Sequence, residues 1–205
     1  FVYRELEVSP EVRVRQARPE DLGAVAAIAN QTWAGRELYT PLSAEGLADF
    51  LGRTPGMGLE RLYVAEADGR VTAALGSWDW GQITKIKIMA LSPRLKLINF
   101  ALKLGRRFRP LPVVPPIGAT LNQWVLTPIG ASEPAHLRAL LRTINNQALG
   151  AGVDFMFFNA EPPHPFEGML DGFLRADTKL NIYVKYLNPA VRLGLGPVHI
   201  PGEDA

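Results

Sequence analysis

The sequence predicts an α/β fold on a sheet of mixed direction, and three observations carry this. Strand-like and helix-like segments alternate along the 205 residues instead of clustering by type. Arg61 to Glu66 and Val71 to Trp78 flank Ala67-Asp68-Gly69-Arg70. Asp-Gly between two apolar runs is a strong hairpin signal. Ala135 to Leu149 repeats Leu137, Leu140, Leu141 and Ile144 at helical spacing and closes on Gly150 and Gly152.

In chain order, Val12 to Ala17 alternates as a half-buried strand. Pro19, Glu20 and Asp21 suit the first turn of a helix whose inner side is Leu22, Val25, Ala26, Ile28, Ala29 and Trp33. Ser43 can cap a second helix with Leu47 and Phe50 inward. After the hairpin, Gly118 to Leu126 reads as a strand. Val153 to Phe158 reads as a buried strand, Phe166 to Leu174 as a short helix, and Leu180 to Leu187 as a last strand with Ile182, Val184 and Tyr186 on one face. The expected organisation is a lead-in over residues 1–10, one domain over 11–187 with an insertion at 81–117, and an irregular tail over 188–205. The chain opens on Phe1, and FVYRELEV reads as the end of something upstream.

Hydrophobic content of 47% with 20% charged residues argues for a packed core and against disorder. With no Cys, disulfides, thiolate catalysis and Cys-based zinc sites are excluded. His136, His164 and His199 do not share ligand spacing on one helix, so no metal is expected. No apolar run is long enough to span a bilayer, no signal peptide is visible, and a cytoplasmic location is the expectation.

Charge is spread unevenly. The net charge is +2, yet Trp80 to Ser132 contains no Asp or Glu, and Ser92 to Pro112 gathers six basic residues. That segment reads as a membrane-surface helix, a nucleic-acid arm, or an insertion in an enzyme that handles an anionic cofactor. On a helix from Leu95 to Arg106, Lys96, Asn99, Lys103 and Arg106 share one narrow arc, and apolar residues fill the rest. The expectation is a largely buried helix with a basic stripe facing out. A membrane-surface helix wants a larger polar face, and stands only if the apolar side has no protein to pack on. For nucleic acid, Phe100 and Phe108 are a thin case without a motif. Arg106, Arg107 and Arg109 suit phosphates or an anionic acceptor; a solvated rim is the other reading.

Four segments resemble the GCN5-related N-acetyltransferase (GNAT) superfamily. VRVRQARPEDLGAVAAIAN (Val12 to Asn30) resembles its first strand and helix, and LYVAEADGRVTAALGSW (Leu62 to Trp78) its central hairpin. WVLTPIGASEPAHLRALL (Trp124 to Leu141) resembles its cofactor strand, loop and helix, and ALGAGVDFMFF (Ala148 to Phe158) its helix end and fifth strand. The Trp78-Asp79 pair and the insertion resemble a branch often found as the second half of longer chains. The resemblance implies a mixed, largely antiparallel sheet flanked by helices, with a basic helical insertion before the fourth strand. It implies acyl transfer, by way of acetyl-CoA or another acyl-CoA, to a small-molecule or peptide amine, and an upstream domain of the same chain as a partner. The alternative is a non-catalytic module of this fold, used for packing or ligand sensing.

In that family a glycine-rich turn and a helix N-terminus cradle the coenzyme A pyrophosphate with unpaired amides. Here the turn is Pro128-Ile129-Gly130-Ala131-Ser132-Glu133-Pro134-Ala135-His136. Of its glycines only Gly130 remains, and Pro134 has no N–H. The local reading, in which Ser132 caps the helix and Glu133 and Pro134 open it, is preferred to an intact cradle. The resemblance carries over Leu126, Thr127, Gly130, Ala131, Ser132 and Asn159 as cofactor contacts. For acid–base work the family's Tyr has no counterpart, its place falling near Glu167 or Gly168. The substitutes are Asp79, otherwise a loop-capping residue, and His136, otherwise a surface His. Asn122 and Gln123 are polar residues on a central strand, one face of which is expected to border the acceptor pocket.

Overall fold

The computed structural model describes residues 1–160, 164, 166, 168–178, 194 and 196–199. Strands β1 (Arg13–Gln16), β2 (Leu62–Ala67), β3 (Arg70–Asp79), β6 (Gln123–Ala131) and β7 (Phe155–Phe157) form one sheet in the order β1-β2-β3-β6-β7. All neighbours are antiparallel except β6 and β7, which run parallel. Short strands β4 (Ile86–Lys87) and β5 (Thr120–Leu121) pair with each other at the base of the insertion. The expected hairpin is present: Asp68 and Gly69 take φ of 51° and 69°, the positive-φ pair that a two-residue turn needs.

Helices α1 (Leu22–Thr32) and α2 (Ala44–Arg53) cover one face of the sheet, and α4 (Pro134–Gly150) covers the other. The cores follow strand alternation. Leu62, Val64, Ala74 and Val125 meet α1 and α2, while Tyr63, Ala65, Leu75, Trp124 and Leu126 meet α4. Ser43 caps α2 by accepting from the Gly46 amide at 3.0 Å. Arg15 grips both carboxylate oxygens of Asp21 and donates to Glu66 at 3.0 Å, tying β1 to β2 and to the start of α1. Residues 1–7 lie along α4. Asn146 exchanges two hydrogen bonds of 2.8 Å with the Leu6 backbone, and Asn145 donates to the Arg4 carbonyl.

Four expectations need correction. The fourth strand runs on to Ala131, so Pro128 to Ala131 belong to β6 and not to a loop. Phe166 to Leu174 is not a helix in its described residues: Gly168 and Gly172 take φ of 78° and 90°, which turn the chain. The helix cap falls on Glu133, not Ser132. Most consequentially, α3 (Pro93–Gly105) buries none of its residues. Its C-terminal end is tied to its own return segment. Arg106 donates to the Pro112 carbonyl at 2.8 Å, and Leu111 lies against Gly105. The strand expected over Leu180 to Leu187 lies outside the described residues.

Candidate functional site

Strand β6 outlasts its partner. It pairs with β7 only from Gln123 to Val125, then runs six more residues to Ala131. Beyond Val125 the parallel pair parts, leaving a cleft on that side of β6. A bulge marks the same place. Leu75 and Ser77 are two residues apart on β3, while their partners Ile129 and Leu126 are three apart on β6. Gly76 sits against the extra residue, where a Cβ would collide with the Thr127 carbonyl. Bulges re-aim strand groups, and a strand edge in a cleft is a template for an extended amide chain.

Leu126, Thr127 and Asn159 come together at this cleft, with Trp33, Val125, Ile129 and His199. The first three were expected from the sequence. Trp33 and His199 were not, because Trp33 reads as a helix-face residue and His199 lies in a segment with no periodic signal. The Trp33 indole donates to the Ile129 carbonyl at 2.9 Å and stacks on the His199 ring at 3.4 Å between centroids. Phe166 meets Trp33 edge-on. His199 is held by its own amide, which donates to the Glu37 carbonyl, while the Glu37 amide donates to Pro197. Burial, and then the charge of Arg36, push the His199 imidazole down from 6.5 to about 4, so it is neutral at pH 7.

The far end of β6 is organised differently. Thr72 is the extra residue of a second bulge, between β2 and β3. Its carbonyl accepts from the Ser132 amide and hydroxyl at 2.9 and 3.0 Å, and its hydroxyl lies 2.7 Å from His136 Nδ1. The Ala131 amide donates to the Thr32 hydroxyl at 2.9 Å. A Cβ on Gly130 would strike the Ile28–Ala29 backbone, so its bareness admits α1. His136 faces an open hollow lined by Ala67, Asp68, Arg70, Thr72 and Glu133, away from the β6/β7 cleft.

Asp79 is at the opposite end of the sheet. It pairs with Trp124 and takes a 3.5 Å bond from Gln82. Seven residue steps of strand separate Trp124 from Ala131, about 23 Å at the usual rise. Asp79 and His136 therefore lie at opposite ends of β6 and do not meet. Near Asp79, Gln123 is fully buried, and neither of its amide atoms has a hydrogen-bond partner among the described residues.

No family model matches the chain, and no curated protein matches it by sequence. Solved structures do. An aminoglycoside acetyltransferase from an uncultured soil metagenomic sample, in complex with sisomicin, superposes with a TM-score of 0.52 at 9% identity, covering 87% of this chain and 97% of that one. The chain has the GCN5-related N-acetyltransferase fold. A Thermus thermophilus protein gives a TM-score of 0.49 at 19% identity, covering 86% of this chain and 98% of its own. A predicted acetyltransferase with acetyl-CoA from Clostridium acetobutylicum gives 0.48 at 13% identity, covering 84% and 96%.

Within the acetyltransferase fold, the residues fit coenzyme A only in part. The parting strands are in place, but the β6 edge is already engaged at Ile129 by the Trp33 indole. The pyrophosphate cradle is not in place, because the Ala131 and Ser132 amides already have partners, Pro134 has no N–H, and Gly130 faces α1. The cavity between the strands is about 20 Å³, room for about one water, where ligand pockets run to hundreds of Å³. Among the described residues no cluster of three or more His, Asp or Glu is arranged to hold a metal, and no helix is long and apolar enough to cross a membrane.

Proposed function

We propose that the chain is an acyl-CoA-dependent N-acyltransferase acting on an amine in the cytoplasm, with the thioester arm in the cleft where β6 runs past the end of β7. The observation that carries this reading is the parallel β6/β7 pair that parts after Val125 beside a bulge, with Leu126, Thr127 and Asn159 around the opening. The reading requires His199 to leave Trp33, since the cleft as it stands is too small. Aminoglycosides, bound by one protein of this fold, exemplify the small polyamine class of acceptor. Gln123 is the buried amide best suited to an acceptor hydroxyl or amine entering near Asp79.

A second reading is a non-catalytic module of the same fold, favoured by the stacked Trp33–His199 pair and the engaged loop amides. Calorimetric titration with acetyl-CoA, followed by free-thiol release with a panel of amines, separates the two. Heat of binding and thiol release support the transferase. Binding without thiol release favours the sensing module. No heat at millimolar acetyl-CoA overturns the transferase.

A further inference from the structure

Helix α3 presents an apolar ridge to solvent. Leu97, Phe100 and Leu104 are 70%, 68% and 64% exposed and follow i, i+3, i+7, so they share one face. Phe108, just past the helix, is 80% exposed. On the helical wheel Lys96 and Lys103 lie along one flank of the ridge and Arg94 along the other. The C-terminal end of the helix is tied to the return segment by the Arg106–Pro112 bond and the Leu111–Gly105 packing, while Leu95 and Ile98 on the far arc are 44% and 41% exposed. The helix is anchored at that end and the ridge is left uncovered. Contiguous exposed apolar side chains on a helix mark a surface that meets something.

We propose that α3 and its flanking insertion dock on an anionic lipid bilayer. Charge complementarity selects the partner. Eight basic residues and no acidic residue lie between Trp80 and Ser132, so the cations around the ridge have no counterions on their own segment. The shape selects it too. Apolar side chains stand out from a convex helix, which a fluid surface accommodates without a matching groove. Leucines and a phenylalanine enter the acyl boundary while lysine and arginine stems reach back to phosphate, the arrangement of an interfacial helix. Nucleic acid would meet the ridge with the wrong chemistry at its centre.

The test is co-sedimentation of the whole chain with phosphatidylcholine vesicles, with and without added phosphatidylserine. Binding is expected to the mixed vesicles at low salt and to weaken as salt rises. The variant Leu97→Ser/Phe100→Ser/Leu104→Ser removes no buried contact; it is expected to keep the parent melting temperature and lose binding. Lys96→Gln/Lys103→Gln is expected to lower partitioning roughly fivefold per charge. Any of these results overturns the proposal: no binding to anionic vesicles at low salt, full binding by the serine variant, equal binding to neutral vesicles, or self-association through the ridge that vesicles do not displace. Binding of a single-stranded oligonucleotide that outcompetes the vesicles also overturns it.

Discussion

Helices α3 and α4 each start with a proline in the first turn, and α3 carries the denser run of apolar residues. Yet α4 buries Leu137, Ala139, Leu140, Leu141, Ile144, Asn145 and Ala148, and α3 buries nothing. The difference lies in what each helix has to pack on. Helix α4 connects two strands of one sheet and is carried back over its face, as a crossover between parallel neighbours must be. Helix α3 leaves and returns through the small β4/β5 ladder, which offers one short ribbon and no face. Apolar content supplies the tendency to be buried; connectivity supplies the surface.

The largest test of this contrast is a leucine in each helix. Leu140→Ala is expected to cost about 2 to 5 kcal/mol of unfolding free energy in urea, whereas Leu97→Ala is expected to stay within about 0.5. An equal loss at Leu97 would mean that α3 is packed in solution. Next comes the polar side of α4. Asn146→Ala breaks both bonds to Leu6 and is expected to cost about 2 kcal/mol, with faster amide exchange confined first to residues 1–7. Gln123→Met replaces an unpartnered buried amide with an apolar chain and is expected to raise stability by about 1 kcal/mol while lowering any amine turnover. Stability unchanged together with full turnover would remove Gln123 from the acceptor site.

Smaller effects sharpen the same contrast. Ser92 caps α3 by accepting from the Leu95 amide at 3.3 Å. Ser92→Ala is expected to weaken α3 by about 1 kcal/mol, visible in amide exchange at residues 96–102 with the global melting temperature unmoved. The His199 contact is confined to one segment. Its imidazole is depressed from 6.5 to about 4, so the free segment takes up a proton first. Docking is then strongest above pH 6.5 and weakens as pH falls toward 4. Arg36 adds to the cost of that proton, and Glu37 meets the segment through its backbone hydrogen bonds and through its side chain, which lies against Gly194 and Gly196. Near-ultraviolet circular dichroism of Trp33 should lose intensity over that window; a flat signal would dissociate docking from His199.

Most of the sheet was legible in the sequence because its signals are local. Asp68-Gly69 fixed the hairpin, and helical spacing marked α4 to within a residue at either end. The errors share a cause. The extension of β6 through Pro128 and Gly130 depends on α1 seated over Gly130, a contact between distant segments that no local pattern records. The exposure of α3 depends on the absence of a partner surface. At the cleft, Leu126, Thr127 and Asn159 were named through the family resemblance, whereas Trp33 and His199 meet across 166 residues of chain. Asp79 and His136, named separately as substitutes, lie at opposite ends of β6, a separation no local pattern records.

Gly130 bears on any attempt to endow this scaffold with tighter phosphate affinity. Grafting glycines at 132–134 would loosen the turn but leave the same two amides engaged, by Thr32 on α1 and by Thr72 at the hairpin bulge. The lever is remote from the turn. The Ala131 amide comes free only if the Thr32 hydroxyl is removed, and Ser132 only if the β2/β3 bulge is straightened. Those are repairs to a helix and a hairpin, and a directed-evolution campaign confined to the loop would miss both.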